Sequence, residues 1–95
     1  MYEQCLRHEL HEAHIPFERQ VAIPVIYQAE PIGDGFRADI VVARQVILEI
    51  KSVAAIQPAH EAQLNTYLRM SSLRIGLILN FNARRRTEGI RRFIV

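Results

Sequence analysis

Arg37-Ala38-Asp39-Ile40-Val41-Val42-Ala43-Arg44-Gln45-Val46-Ile47-Leu48-Glu49-Ile50-Lys51 is the stretch that decides the fold. It is β-branched and apolar on either side of a short polar break, the pattern of a buried strand pair closed by a tight turn. With the turn centred on Arg44, residues facing each other across the ladder have numbers that sum to 88. Asp39 then lies opposite Glu49, with Cβ atoms roughly 5 Å apart. Lys51 follows on the same face, because strand side chains alternate with a period of two. Two carboxylates held face to face repel and are costly to desolvate, so a sheet that keeps them needs something positive between them. A divalent metal fits, with the Lys51 ammonium beside it.

A plainer reading stands beside this one: Asp39 starts a strand, and Glu49 pairs with Lys51 or Arg37 at a solvated edge. The surrounding pattern favours the first. Ala38, Ile40, Val42, Val46, Leu48 and Ile50 make one face wholly apolar, while the charged face also carries Val41, Ile47 and Val53. A strand apolar on both faces is usually covered on both, and charges kept under such cover are more often functional.

Ninety-five residues make one small domain with no room for a second core. An apolar content of 49% with 23% charged residues describes a soluble globule and not a disordered chain. Burial is proportionally poor at this size, so self-association, in the simplest form a homodimer, is expected. The formal charge of +2 is unevenly spread, since Arg84, Arg85, Arg86, Arg91 and Arg92 fall near the end of the chain. They form either an electrostatic footprint for a phosphate backbone or a solvated surface. The single cysteine, Cys5, allows no internal disulfide and suits a reducing cytoplasm; its place among Leu6 and Leu10 favours packing over reactivity. The longest apolar candidate, Ile75 to Phe81, is far short of the roughly 18 residues of a membrane span. With no signal pattern at the start either, a cytoplasmic location without membrane contact is expected.

Residues 2 to 14 read as an amphipathic helix that opens without a capping residue, as though cut into. His8, His11 and His14 recur along it but diverge over about 120° of the helix, with no further ligand nearby to complete tetrahedral zinc. Pro16 ends it. Phe17 to Gln28 alternates and is rich in Val, Ile and Tyr, which predicts a strand in which Pro24 demands an edge position or a bulge. Pro31-Ile32-Gly33-Asp34-Gly35 is a turn by composition. Pro58 suits the first position of a helix reaching about Met70, on which Gln63 and Tyr67 lie one turn apart and point towards the sheet. Arg74 to Phe81, arriving from a helix, enters the sheet interior by a crossover. A short strand from Ile90 to Val95 completes an αβββαββ order, an α/β (α+β) sandwich with a mixed sheet between helices.

An Asp opening one strand, Glu-x-Lys in the next and a helix bearing Gln-x-x-x-Tyr together resemble the PD-(D/E)xK nuclease superfamily, with its restriction-endonuclease-like core. The chain looks closer still to the bacterial GxxExxY branch, through Phe-Glu-Arg-Gln-Val, Phe-Arg-Ala-Asp-Ile, Leu-Glu-Ile-Lys, His-Glu-Ala-Gln-Leu-Asn-Thr-Tyr-Leu and Leu-Asn-Phe-Asn, within residues 17 to 82. It departs in two places. Tyr2 matches the tyrosine of that name, which puts the Gly and Glu upstream, so a carboxylate that many superfamily nucleases add from this helix is missing unless Glu3 or Glu9 substitutes. Ala38 stands where the superfamily name has Pro.

The resemblance implies that Asp39 and Glu49 hold Mg²⁺ or Mn²⁺ through oxygen, with the Ile50 carbonyl as a further ligand. It implies that Lys51 orients or deprotonates the attacking water, while Gln63 and Tyr67 fix Lys51 and the nucleic-acid backbone. Arg37, Arg84, Arg85 and Arg86 would contact nucleic acid, expected to be DNA. Two functions follow: a metal-dependent deoxyribonuclease, or a catalytically inactive nuclease-fold module that binds nucleic acid or a partner protein.

Overall fold

Val42 and Val46 face each other across the turn, followed by Val41 and Ile47 and by Ile40 and Leu48, so the hairpin has the register expected of a turn centred on Arg44. Gln45 N–H closes on the Val42 carbonyl at 2.9 Å, and Ala43 and Arg44 take positive φ, 53° and 56°. Positive φ at both central residues is the pattern of a primed hairpin turn, whose twist matches that of the strands. The structure is a computed structural model that describes residues 2–24, 26–27, 30–31, 36–81 and 89–95.

In chain order the elements are α1 (Tyr2–Glu12), β1 (Phe17–Ile23), β2 (Ile26–Tyr27), β3 (Glu30–Pro31), β4 (Phe36–Val42), β5 (Val46–Lys51), α2 (Pro58–Ser71), β6 (Ile75–Asn80) and β7 (Ile90–Ile94). Five strands form one mixed sheet in the order β1-β4-β5-β6-β7. β1, β4 and β5 make an antiparallel meander, and α2 carries the chain across to β6, parallel to β5. The expected αβββαββ order and α+β class are therefore present.

One strand differs from expectation. β1 stops at Ile23 and does not run to Gln28, because Pro24 has no N–H with which to continue the ladder. β1 does lie at the sheet edge, and beyond Pro24 the residues Ile26–Tyr27 pair with Glu30–Pro31 in a separate two-stranded ribbon. Gln28 and most of the expected turn, Ile32 to Gly35, lie outside the described residues.

The core gathers under α2. Ile23, Ala38, Val41 and Ile47 from the sheet meet Leu64, Tyr67 and Leu68 from the helix, with Ile78 of β6 beneath them. Leu64 and Leu68 are fully buried, each contributing roughly 1.5–3 kcal/mol. Helix and sheet approach closely at Gly76, where an added Cβ would meet Leu64 Cδ1 at 2.8 Å. Pro58 occupies the start of α2 as expected, and Gln57 N–H donates to His60 Nδ1 at 2.9 Å, covering one backbone donor there. Ser72, with φ 64°, ends the helix in the left-handed region.

α1 serves the sheet differently, for none of its residues is fully buried. Tyr2 stacks on Phe81, with ring centroids 4.9 Å apart, and Glu3 Oε2 accepts a hydrogen bond from Arg19 Nη2 at 2.9 Å. Leu6 and Leu10 are half-buried, whereas Cys5 is exposed. The expectation that Cys5 packs among those leucines is corrected, because its position turns it to solvent while they turn inward. No described helix is long and apolar enough to cross a membrane.

Candidate active site

The regular ladder between β4 and β5 ends at Ile40 and Leu48, and the next facing pair is Asp39 and Glu49. Side-chain oxygens here replace ladder carbonyls. Asp39 N–H donates to Glu49 Oε1 at 3.3 Å, and Ile50 N–H donates to Asp39 Oδ2 at 2.8 Å. β1 is irregular at the same level, since Gln20 has φ 49° and drops out of the β1–β4 pairing where Asp39 would be its partner. Freed from pairing on both sides, Asp39 keeps its place through its carboxylate.

Glu49 is 3% exposed, one of the few charged residues inside the described core. Burial pushes its carboxyl up from 4.5 to about 8, with the neighbouring Asp39 charge acting in the same direction. At neutral pH Glu49 therefore holds its proton. Each carboxylate spends one oxygen on a backbone amide, leaving the other for a further partner. Ile50 sends its N–H towards β4, and in an extended strand the carbonyl of the same residue faces the same neighbour. Two carboxylates and a carbonyl around one gap are hard oxygen donors of the kind that suits Mg²⁺ or Mn²⁺.

Lys51 and Gln63, twelve residues apart, meet at 2.8 Å between Nζ and Oε1. Gln63 Nε2 then donates to Tyr67 Oη at 2.9 Å. An ammonium can only donate, so the Gln63 carbonyl must face Lys51 and its NH₂ must face Tyr67. The spacing of four on α2 sets the second contact and the end of β5 sets the first. Tyr67 is 4% exposed, and burial followed by the Glu49 charge pushes its phenol above the usual value. Asp39, Glu49, Lys51, Gln63 and Tyr67 are thus brought together on the α2 face of the sheet.

Other candidates fall elsewhere. Arg37 is exposed, and its Nη1 donates to the Gln20 carbonyl at 3.3 Å. Arg84, Arg85 and Arg86 lie outside the described residues. Glu3 does not join the acid pair, because it is held by Arg19, which pairs with Ile40 on the face away from Asp39. Glu9 is exposed. Among the described residues no group of three acids, histidines or cysteines is assembled. An apolar groove of about 300 Å³ lies between β1 and the end of α2, lined by Val21, Ile23, Met70 and Leu73 among others, and includes neither Asp39 nor Glu49.

Asn80 was visible in the sequence only as a member of Leu-Asn-Phe-Asn. It is buried, and its amide engages both backbone groups of Val53. A polar residue closing the most apolar strand was the available signal.

No curated protein and no solved structure matches the chain. The family described as the PD-(D/E)XK nuclease superfamily matches residues 1–93. Its restriction-endonuclease-like core accounts for a five-stranded mixed sheet with an acid pair at the opening of one hairpin and a lysine two residues beyond. The chain belongs to the PD-(D/E)XK nuclease superfamily.

Proposed function

We propose that the protein is a metal-dependent nuclease of the GxxExxY branch that hydrolyses phosphodiester bonds of DNA. Nucleases of the superfamily generally use divalent metal ions. The observation that carries the reading is the Asp39–Glu49 pair, facing and cross-bonded, in which Glu49 is buried and its carboxyl is pushed up to about 8 by that burial and by the Asp39 charge. Asp39, Glu49 and the Ile50 carbonyl would hold Mg²⁺ or Mn²⁺. Bound there, the ion supplies Lewis-acid polarisation of a phosphoryl oxygen and a lowered pKa for its water.

Lys51 has three donors, and Gln63 takes one at 2.8 Å. The other two are free to orient the attacking water and to stabilise charge developing on the phosphate. Gln63 and Tyr67 keep the ammonium from swinging away, and Arg37 and Arg84 to Arg86 draw in the nucleic-acid backbone. A second reading, a nuclease-fold module that binds without cutting, draws on the position of Glu3, turned to Arg19 and away from the acids.

Labelled duplex DNA, single-stranded DNA and RNA, each incubated with Mn²⁺, Mg²⁺ or chelator, separate the two. Metal-dependent cleavage of DNA that disappears in Lys51→Ala supports the enzyme. Absence of cleavage of every substrate, together with no Mn²⁺-induced rise in melting temperature, leaves the binding module.

A further inference from the structure

Asn80 lies opposite Lys51 in the parallel β5–β6 ladder and is 7% exposed. Val53 N–H donates to its Oδ1 at 3.1 Å, and its Nδ2 donates to the Val53 carbonyl at 2.9 Å. A backbone donor and a backbone acceptor together allow only one orientation of the amide. Next along, Phe81 N–H donates to the Lys51 carbonyl at 3.0 Å. The last residue of β5 and the second residue beyond it are therefore both fastened to the end of β6.

That fastening acts where the chain leaves the sheet for α2. The segment begins at Lys51 and ends in the helix that carries Gln63, and the 2.8 Å contact between them closes the loop. The Gln63 contact holds the head of the flexible four-carbon stem, while the backbone course at Lys51 sets where that stem starts. Lys51 is also the only lysine in the chain, every other cationic side chain of this class being arginine.

We propose that Asn80 is a positioning residue for Lys51: by holding Val53 through both backbone groups, it sets the course of the chain out of β5 and so aims the Lys51 ammonium at Gln63. Its consequence for cleavage rests on the nuclease reading; the alignment itself does not.

The lone lysine makes the alignment directly observable, because lysine labelled with ¹³C at Cε and ¹⁵N at Nζ gives a single side-chain correlation. Gln63→Ala marks the position of that signal when the acceptor is lost. Asn80→Ala is expected to move the signal at least halfway from the wild-type position towards that mark. Ile40→Val, a mild core change on the opposite face of β4, should leave it in place. An Asn80→Ala protein that is folded and keeps the wild-type signal overturns the proposal.

Asn80→Asp gives a second arm within one protein. A protonated carboxyl reproduces the donor and acceptor of the amide, whereas the carboxylate cannot donate to the Val53 carbonyl. The variant signal should match wild type at low pH and depart from it as the new carboxyl ionises, each compared with wild type at the same pH. Coincidence at every pH overturns the proposal even if Asn80→Ala does not fold. Where wild type cleaves DNA, kcat in Asn80→Ala should fall about tenfold or more with KM little changed, since small misplacements of a reacting group are costly. If wild type does not cleave and the signal still moves, the nuclease reading fails and the positioning stands.

Discussion

Asp39 and Glu49 are joined crosswise: the amide of Asp39 donates to Glu49 Oε1, and the amide just past Glu49 donates to Asp39 Oδ2. The acids thereby complete the backbone bonding of a hairpin that has already left its regular ladder. They satisfy the strand ends while setting a second carboxyl against the buried Glu49, and stability becomes sensitive to pH and to cations.

Metal-free protein should lose stability as pH rises from about 4.5 to about 8. The Glu49 carboxyl is raised to about 8 in the fold from 4.5, so over that window the native state holds a proton that the unfolded chain has released. Stability then falls with pH, by up to about 1.4 kcal/mol per unit, and levels off above the native value. Denaturant unfolding at a series of pH values in chelator measures it. Glu49→Gln should flatten this segment, because a neutral amide has no proton to lose.

A divalent metal held by Asp39 and Glu49 would have to displace that proton. Binding of Mn²⁺ below pH 8 should release close to one proton per ion and tighten with rising pH, by up to about tenfold per unit. Calorimetry in buffers of different ionisation enthalpy counts the proton. Glu49→Gln should weaken binding, since an amide is a poorer partner for a hard dication.

Lys51→Ala should retain the fold and most of the metal affinity, because Lys51 is not among the oxygen donors, while cleavage falls by at least about 100-fold. Gln63→Ala should act in the same direction with a smaller loss, as it removes the acceptor at 2.8 Å and not the charge. Single-turnover cleavage, with Mn²⁺-induced shifts in melting temperature as the binding control, separates the two effects.

If Arg84, Arg85 and Arg86 neutralise phosphates, replacing all three should flatten the log–log dependence of duplex affinity on salt by about 2 to 3. An unchanged slope assigns them to a surface that DNA does not touch.

Gly76→Ala should destabilise by about 1–3 kcal/mol. The new Cβ would stand 2.8–3.0 Å from the fully buried Leu64 side chain, which has no exposed space to enter. Thermal melts measure the loss, and Gln63, beside Leu64 on α2, should move with the helix and weaken its contact with Lys51.

The hairpin register, the placing of Asp39 opposite Glu49, the start of α2 at Pro58 and the interior position of β6 were legible in the sequence. Each follows from local rules: alternation along a strand, a turn that sets register, and a proline that fits the first turn of a helix. What only the tertiary structure decided depends on residues distant along the chain. Pro24 ended β1 where alternation alone continued to Gln28: the residues before it pair with β4, while Ile26 and Tyr27 beyond it pair with β3 in a separate ribbon. Glu3 went to Arg19 and not to the acids, since the face on which α1 lies is set by packing. The proton on Glu49 comes from burial under α2, and the course of the chain beyond Lys51 from Asn80, 27 residues beyond the Val53 backbone it holds. Sequence periodicity says which side of a strand a residue occupies; only the assembled fold says what stands opposite it and how much water is left.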